Sequence, residues 1–291
     1  MSNSRTLDII LQTVTTQYLS EIDVNNPPEP LDLVQTLYSR TLLEIEIENK
    51  FREKGPKLPA KPNITPAQLA DILLLFHKIC VINFVGDLSD SKKDVLAIYN
   101  TEGENEGLYT IDELQLRKLA MKYCYNITNN EFKELQSMLS AKAERKTRTI
   151  DKDLIAVNNG IFNYRTKKLL PFTPDFIFLS KSRVNYVQNP KNPTIVNSKD
   201  KTSWDVESWM NELSDDPAIV ESLWEILGAI IRPHVRWNKA AFLYSTVGNN
   251  GKGTLCELMR NLCGKGSYAS IPLANFSERF ALEPLIKANA I

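Results

Sequence analysis

The sequence predicts an α+β fold that is mainly helical in its N-terminal part and in a later helical region, and that ends in the beginning of an α/β core. Apolar residues recur at helical spacing over most of the chain. Short alternating runs bounded by polar turns predict a few strands between the helices. Near the end, a strand-like run, a glycine-rich loop and a helical pattern follow one another.

Composition limits the classes of function. Of the 291 residues, 43% are hydrophobic and 24% are charged, as in ordinary globular proteins, and the formal net charge is zero. Nucleic acid would therefore have to bind a local patch of charge. The apolar runs are too short for a membrane span and the N-terminus lacks a signal-peptide layout, so we expect a cytoplasmic protein with no membrane partner. The four cysteines and two histidines show no metal-ligand spacing, which argues against a structural metal.

The pattern of residues 1–60 predicts a helical N-terminal region, and the sequence does not indicate what this region does. Helical spacing occurs in "LDIILQTVTTQYL" and again in "LDLVQTLYSRTLLEIEIENKF", with "NNPPEP" between them. The proline- and lysine-containing stretch at 54–63 predicts an extended linker.

The pattern of residues 61–150 predicts a mixed α/β N-terminal domain. An apolar run, "ILLLFHKICVINFVG", predicts a buried helix that continues into a loop or strand, and "VLAIYN" and "GLYT" predict two short strands. Three capping boxes predict helix starts: Thr65 with Gln68, Thr110 with Glu113, and Thr128 with Glu131.

In residues 151–238 the sequence predicts a basic segment followed by a helical collar. The stretch 142–201 has thirteen Lys and Arg against five Asp and Glu, with aromatic residues interleaved. These cations can neutralise phosphates, while Tyr164 or Tyr186 can stack on unpaired bases. The competing interpretation places the aromatics in a core and the cations on a solvated face. The candidate DNA-binding residues are Arg145, Lys146, Arg148, Arg165, Lys167, Lys168, Lys181 and Arg183.

Two further features lie in this region. Asp151 and Asp153 have the Asp-x-Asp form of a two-metal site, but without a matching His motif we favour a solvated loop. "SWDVESWMNEL" and "DPAIVESLWEILGAII" predict helices, the second with Pro217 at its first position.

Residues 239–291 contain "STVGNNGKGTL", which predicts a phosphate-binding loop between the strand "NKAAFLYS" and the helix "TLCELMRNLC". Such a loop needs converging backbone N–H groups, a helix N-terminus and a lysine that reaches the phosphates. Thr246 replaces the usual first glycine, and Gly253 replaces the hydroxyl residue that normally holds Mg²⁺, which leaves Thr254 one place late. A glycine-rich turn without a ligand is the alternative. The candidate nucleotide-binding residues are Gly248, Asn249, Asn250, Gly251, Lys252, Gly253 and Thr254, with Thr254 as the candidate Mg²⁺ ligand.

Several stretches resemble the superfamily 3 helicases of phage and plasmid replication proteins, a group related to the poxvirus-type primase-helicases. The resemblance rests on Asn250-Gly251-Lys252, on Leu227-Gly228 in the helical region before it, on "LIAVNNGIFNYRTKKLLPFTPDFIF", and on "LAIYNTEGENEGLYT". It extends from about residue 95 to the end of the sequence.

The resemblance implies an ATP- and Mg²⁺-dependent, ring-forming, hexameric motor that separates DNA strands in the host cytoplasm. The region from residue 239 would then begin a P-loop (AAA+-like) ATPase core, with Lys252 as the phosphate lysine. "EPLIKANAI" resembles the approach to the strand that carries the Mg²⁺-binding acids, and no acid follows it. We therefore expect a truncated helicase that does not hydrolyse ATP well alone, and assign no catalytic residue. The alternative function is a non-catalytic DNA-binding or ring-assembly module.

Overall fold

A computed structural model describes residues 5–52, 55–84 and 94–278, together with Leu285 and Ala288. The chain forms two compact units. The first unit comprises Met1–Gly103 and Tyr109–Arg148, and the second comprises Glu104–Leu108 and Thr149–Ile291. The described part has a mixed α+β fold with eight α-helices and small sheets, as the sequence predicts at this level.

The helices of the first unit share one hydrophobic core. They are α1 (Leu7–Ser20), α2 (Pro30–Phe51), α3 (Pro66–Phe76), α4 (Glu113–Tyr123) and α5 (Asn129–Lys142). Fully buried side chains from four of them, Ile10, Leu37, Leu73 and Leu135, belong to the same cluster. The helical spacing of apolar residues near the N-terminus therefore reflects packing against the later helices, because one apolar stripe on each helix faces this core.

Two of the three predicted capping boxes are confirmed, at the start of α3 and at the start of α5. The third is wrong. Thr110 belongs to a strand, and the cap of α4 is Asp112, whose Oδ1 accepts a hydrogen bond from the Leu114 N–H at 2.9 Å. Strand pairing therefore holds Thr110 in extended backbone and moves the helix start two residues along the chain.

The sheet of the first unit contains β1 (Ile79–Asn83), β2 (Asp94–Tyr99), β3 (Tyr109–Thr110) and β4 (Glu144–Thr147) in the order β3-β2-β1-β4. Strand β1 pairs antiparallel with β2 and parallel with β4, which returns after α4 and α5. After α3 the chain continues into a strand, which is one of the two predicted alternatives, and the two predicted short strands are confirmed as β2 and β3.

The second unit begins with an antiparallel meander of β5 (Leu154–Val157), β6 (Gly160–Asn163) and β7 (Lys168–Leu170). Residues 182–184 run beside the end of β5, where the Ser182 N–H donates to the Ala156 carbonyl at 2.9 Å. Leu108, from the short segment Glu104–Leu108, packs in a small core with Ile161 and Phe178.

A second core of this unit forms between helices. After the hairpin β8 (Ile195–Val196) and β9 (Ser203–Trp204) come α6 (Val206–Asn211), α7 (Pro217–Ile230), α8 (Lys252–Cys263) and a 3₁₀ helix (Leu273–Ser277). Met210, Leu223 and Leu255 bring α6, α7 and α8 together. Both predicted collar helices are confirmed, including Pro217 at the first position of α7.

The buried strand predicted at 238–245 is absent from the structure. This stretch has no regular structure, and Phe242 and Tyr244 are 79% and 83% exposed. A buried core strand needs hydrogen-bonded neighbours, and none of the described strands pairs with this stretch. The sequence expected to approach the acid-bearing strand, 283–291, lies almost wholly outside the described residues.

The described helices include none that is both long and apolar enough to cross a membrane.

Candidate functional site

The predicted phosphate loop leads directly into α8, which starts at Lys252. Gly251 is the N-cap residue and adopts a left-handed conformation with φ of 82°, and Asn249 is also left-handed with φ of 54°. Glycine takes such a φ without steric cost, and asparagine tolerates it better than most residues. The helix begins two residues before the predicted pattern, so Lys252 and Gly253 belong to its first turn.

Lys252 is held over its own loop. Its Nζ donates a hydrogen bond to Asn250 Oδ1 at 2.6 Å, and Asn250 Nδ2 donates to the Val247 carbonyl at 3.2 Å. The Val247 N–H in turn donates to Ser245 Oγ at 3.3 Å. A phosphate oxygen is a stronger acceptor than the Asn250 amide and would compete with it for this ammonium.

The N-terminus of α8 is suited to an anion. Gly251 has no side chain to cap the first turn, whose earliest N–H groups have no intrahelical acceptor. The Leu255 N–H closes the first turn on the Gly251 carbonyl at 2.9 Å. A methyl group added at Gly248 or Gly253 would meet no atom within 4 Å, so open space surrounds both glycines. The residues present therefore fit a phosphate group.

The loop offers fewer ligands for Mg²⁺ than for a phosphate group. Thr254 is exposed in the first turn of α8, one residue beyond the position at which a phosphate loop usually places its hydroxyl. Across the described residues there is no cluster of His, Cys, Asp or Glu that could hold a metal ion. Thr254 and the phosphates themselves would have to supply the ligands.

Five of the eight predicted DNA-binding cations have partners that favour a structural role. Lys181 is 1% exposed, and its Nζ donates to the Glu106 carbonyl at 2.8 Å. Burial, with Arg183 nearby, lowers the pKa of the Lys181 ammonium. Arg183 binds the backbone and side chain of residues 104–105.

The other three lie in or next to β4 in the first unit. Arg145 Nε lies 2.7 Å from Asp94 Oδ2, and this bond lowers the pKa of the Asp94 carboxyl. Lys146 lies 3.3 Å from Glu144. Arg148 lies over the ring of Phe84, with its Cζ 6.0 Å from the centroid.

The remaining three cations lie together at the turn between β6 and β7. We call residues 164–168 the hairpin tip; all five are exposed, and they include Arg165, Lys167 and Lys168. The Nζ of Lys167 lies 3.4 Å from the ring centroid of Tyr164. The structure therefore brings part of the predicted basic-aromatic patch together in one place.

Beneath the hairpin tip lies a carboxylate that the sequence interpretation placed in a solvated loop. Asp153 is instead only 9% exposed, with Arg165 Nη2 at 2.8 Å and Arg232 Nη2 at 3.5 Å from its oxygens. Asp153 thus lies in a turn, as the loop interpretation expects, but it is buried and not solvated. Arg232 follows the end of α7, and the sequence interpretation missed it because it lies outside the basic stretch 142–201.

The cysteines behave as small apolar residues. All four are free, and three of them are buried. Burial raises the pKa of both Cys80 and Cys263 to about 11, which keeps these thiols protonated near neutral pH.

Part of the chain resembles a known protein family. The family described as "D5 N terminal like" matches residues 83–214, a little under half of the chain, from the end of β1 to just beyond α6. None of the curated proteins matches the chain. The match relates the chain, at a coarse level, to the primase-helicase replication proteins of phages and viruses, in agreement with the resemblance. The matched range ends before the loop at 248–254.

Proposed function

We propose that this chain acts within an ATP-dependent DNA helicase of phage or mobile-element replication, and that residues 248–254 bind the phosphates of ATP. The matched family supports a role in replication. The nucleotide site rests on one observation: α8 begins at Lys252 behind an uncapped glycine N-terminus, with the lysine ammonium placed over the loop.

Each residue has a distinct part in the proposed site. The backbone N–H groups at the start of α8 donate to phosphate oxygens and add the favourable end of the helix dipole. Lys252 leaves Asn250 Oδ1 and pairs with the β- and γ-phosphates, and Asn250 then supports the loop through its bond to Val247. Thr254 would hold Mg²⁺, directly or through water. Bound Mg²⁺ would neutralise charge on the phosphates.

Titration with a fluorescent ATP analogue, with and without Mg²⁺, tests the site. The wild-type chain should bind saturably, and Lys252→Ala should weaken binding by at least about tenfold, because a charge-assisted contact contributes about 1.5–3 kcal/mol. Lys265→Ala is the matched control, since Lys265 is exposed in the turn that follows α8 and should not affect binding.

The opposite outcome is equally informative. Equal or undetectable binding by the wild-type chain and Lys252→Ala would show that the loop is a turn without a ligand. The chain would then be better described as a non-catalytic DNA-binding or ring-assembly module. If the site is confirmed, a hexameric ring is the assembly that the proposal predicts.

A further inference from the structure

We propose that the hairpin tip, residues 164–168, together with Arg232, forms a contact site for single-stranded nucleic acid, with cations for the phosphates and Tyr164 for an unpaired base. This inference rests on the proposed function, because it supplies the DNA contact that a helicase requires. It also narrows the eight candidate cations of the basic segment to three, and adds one residue that the sequence interpretation missed.

The tip is exposed but held in a defined shape. Lys167 adopts a left-handed conformation with φ of 58°, and its N–H donates to the Asn163 carbonyl at 2.8 Å. The Thr166 N–H donates to Asn163 Oδ1 at 3.0 Å, and the Tyr186 hydroxyl donates to the Lys167 carbonyl at 3.3 Å. These bonds fix the turn, so less conformational entropy is lost when a ligand binds.

Positive charge is in excess at this site. Arg165 and Arg232 pair with one buried carboxylate, that of Asp153, and the exposed Lys167 and Lys168 add two further positive charges at the tip. Asp153 holds the two arginines in place, yet the side chain of Arg165 remains 77% exposed. A surplus of fixed, exposed cations at the end of a hairpin is complementary to a phosphate backbone.

The aromatic residues favour single strands over duplex. Tyr164 is 41% exposed, and the Cζ of Arg232 lies 3.9 Å from the centroid of its ring. Behind it, Phe162 and Tyr186 stack with centroids 4.3 Å apart, which supports the sheet below the tip. When Lys167 moves from the Tyr164 ring to a phosphate, the ring becomes available to an unpaired base. A base inside a duplex cannot stack in this way.

The experiment is fluorescence anisotropy with a labelled oligothymidine of about 20 nucleotides, long enough for one contact site, measured without ATP over a range of KCl concentrations. Lys167→Asn with Lys168→Gln removes both charges, and asparagine tolerates the left-handed backbone at 167. We expect affinity to fall by about tenfold or more, and the salt slope to decrease by about 0.7 for each phosphate that the variant no longer neutralises.

A second variant separates stacking from charge. Tyr164→Leu keeps an apolar side chain but lacks the aromatic face, so affinity should fall about tenfold with no change in the salt slope. The matched charge control is Lys191→Gln with Lys199→Gln, two exposed lysines of the same unit. Circular dichroism should show that all the variants are folded.

The outcomes separate this proposal from the nucleotide site. The oligonucleotide titration contains no ATP, so its result does not depend on whether the loop at 248–254 binds nucleotide. The hairpin proposal is overturned if the Lys167/Lys168 variant matches the Lys191/Lys199 control in affinity and slope, or if a duplex of equal length binds more tightly than the single strand.

Discussion

At the scale of single residues, side chains of one chemical type serve very different purposes. Lys181 is buried and donates to a backbone carbonyl, whereas Lys167, 14 positions earlier in the same basic segment, is exposed beside an aromatic ring. A count of charges along the sequence treats the two alike. Only the fold shows that Lys181 satisfies the Glu106 carbonyl while Lys167 faces solvent.

His77 should make stability sensitive to acid. Its Nε2 lies 2.9 Å from the Tyr123 hydroxyl, and burial, with Lys122 nearby, lowers the pKa of the imidazole below its ordinary value of 6.5. As pH falls below about 6.5, His77 becomes protonated in the unfolded chain, whereas in the folded chain it stays neutral until a lower pH. The free energy of unfolding therefore decreases. Above that pH both states are neutral and this effect disappears.

Urea unfolding at about pH 7.5 and about pH 5 measures this effect. The wild-type midpoint should be lower at the acidic pH, and His77→Gln should reduce the difference between the two midpoints. An unaltered pH dependence in His77→Gln would refute the assignment.

Gly251 and Gly253 are separated by one residue but should respond oppositely to alanine. At Gly251 the φ of 82° is left-handed, and an added Cβ would lie 2.4 Å from Leu213 Cδ2, so we expect a loss of about 1–2 kcal/mol. At Gly253 the space is open, and alanine in a helix should be neutral or stabilise by up to about 1 kcal/mol. Denaturant unfolding of the two variants measures both changes. Equal effects would mean that the left-handed N-cap is not required.

At the scale of elements, the helices were the most predictable part. Their apolar stripes and local caps are short-range signals, and the capping boxes at Thr65 and Thr128 needed no knowledge of the fold. The cap at Asp112 was missed because the pairing of β3 with β2 decides where α4 can start. The strand expected at 238–245 failed for the same kind of reason, since a strand depends on neighbours that its own residues do not reveal.

Helix α8 is fastened at the end opposite the proposed nucleotide site. Ser182 Oγ donates to the Leu262 carbonyl at 2.6 Å, and Ser267 Oγ donates to the Lys181 carbonyl at 2.9 Å. Ser182 and Ser267 are 4% and 1% exposed, so water does not readily replace either bond. The segment that runs beside β5 thus holds the last turn of the helix whose first turn would meet phosphate.

Loss of both hydroxyls should loosen this end of α8. Ser182→Ala with Ser267→Ala leaves two carbonyls without their donors, which costs about 1–3 kcal/mol for each. Hydrogen exchange in a peptide covering the last turn of α8 should become faster, and the melting temperature should fall. Ser198→Ala, at an exposed turn, is the control. Unchanged exchange in the double variant would show that the apolar contacts of Leu255 and its neighbours suffice.

At the scale of the whole molecule, the sequence predicted the α+β class and the coarse relation to replication proteins, and both are confirmed. The candidate site could be predicted only in part. The proposed phosphate loop is a local motif, so its glycines and Lys252 are enough to predict it. The Asp153–Arg165–Arg232 cluster joins residues far apart in sequence, and nothing in the local pattern around Arg232 indicates it.

The short segment Glu104–Leu108 belongs to the second unit although the chain on both sides of it belongs to the first. If the gene were split at residue 148, the two products would therefore not correspond to the two structural units. The later half would lack Leu108 from its small core and the Glu106 carbonyl that accepts from Lys181, leaving a buried ammonium without its main acceptor. During synthesis, these five residues leave the ribosome before the strands against which Leu108 packs, so the second unit can complete this core only after both parts have been made.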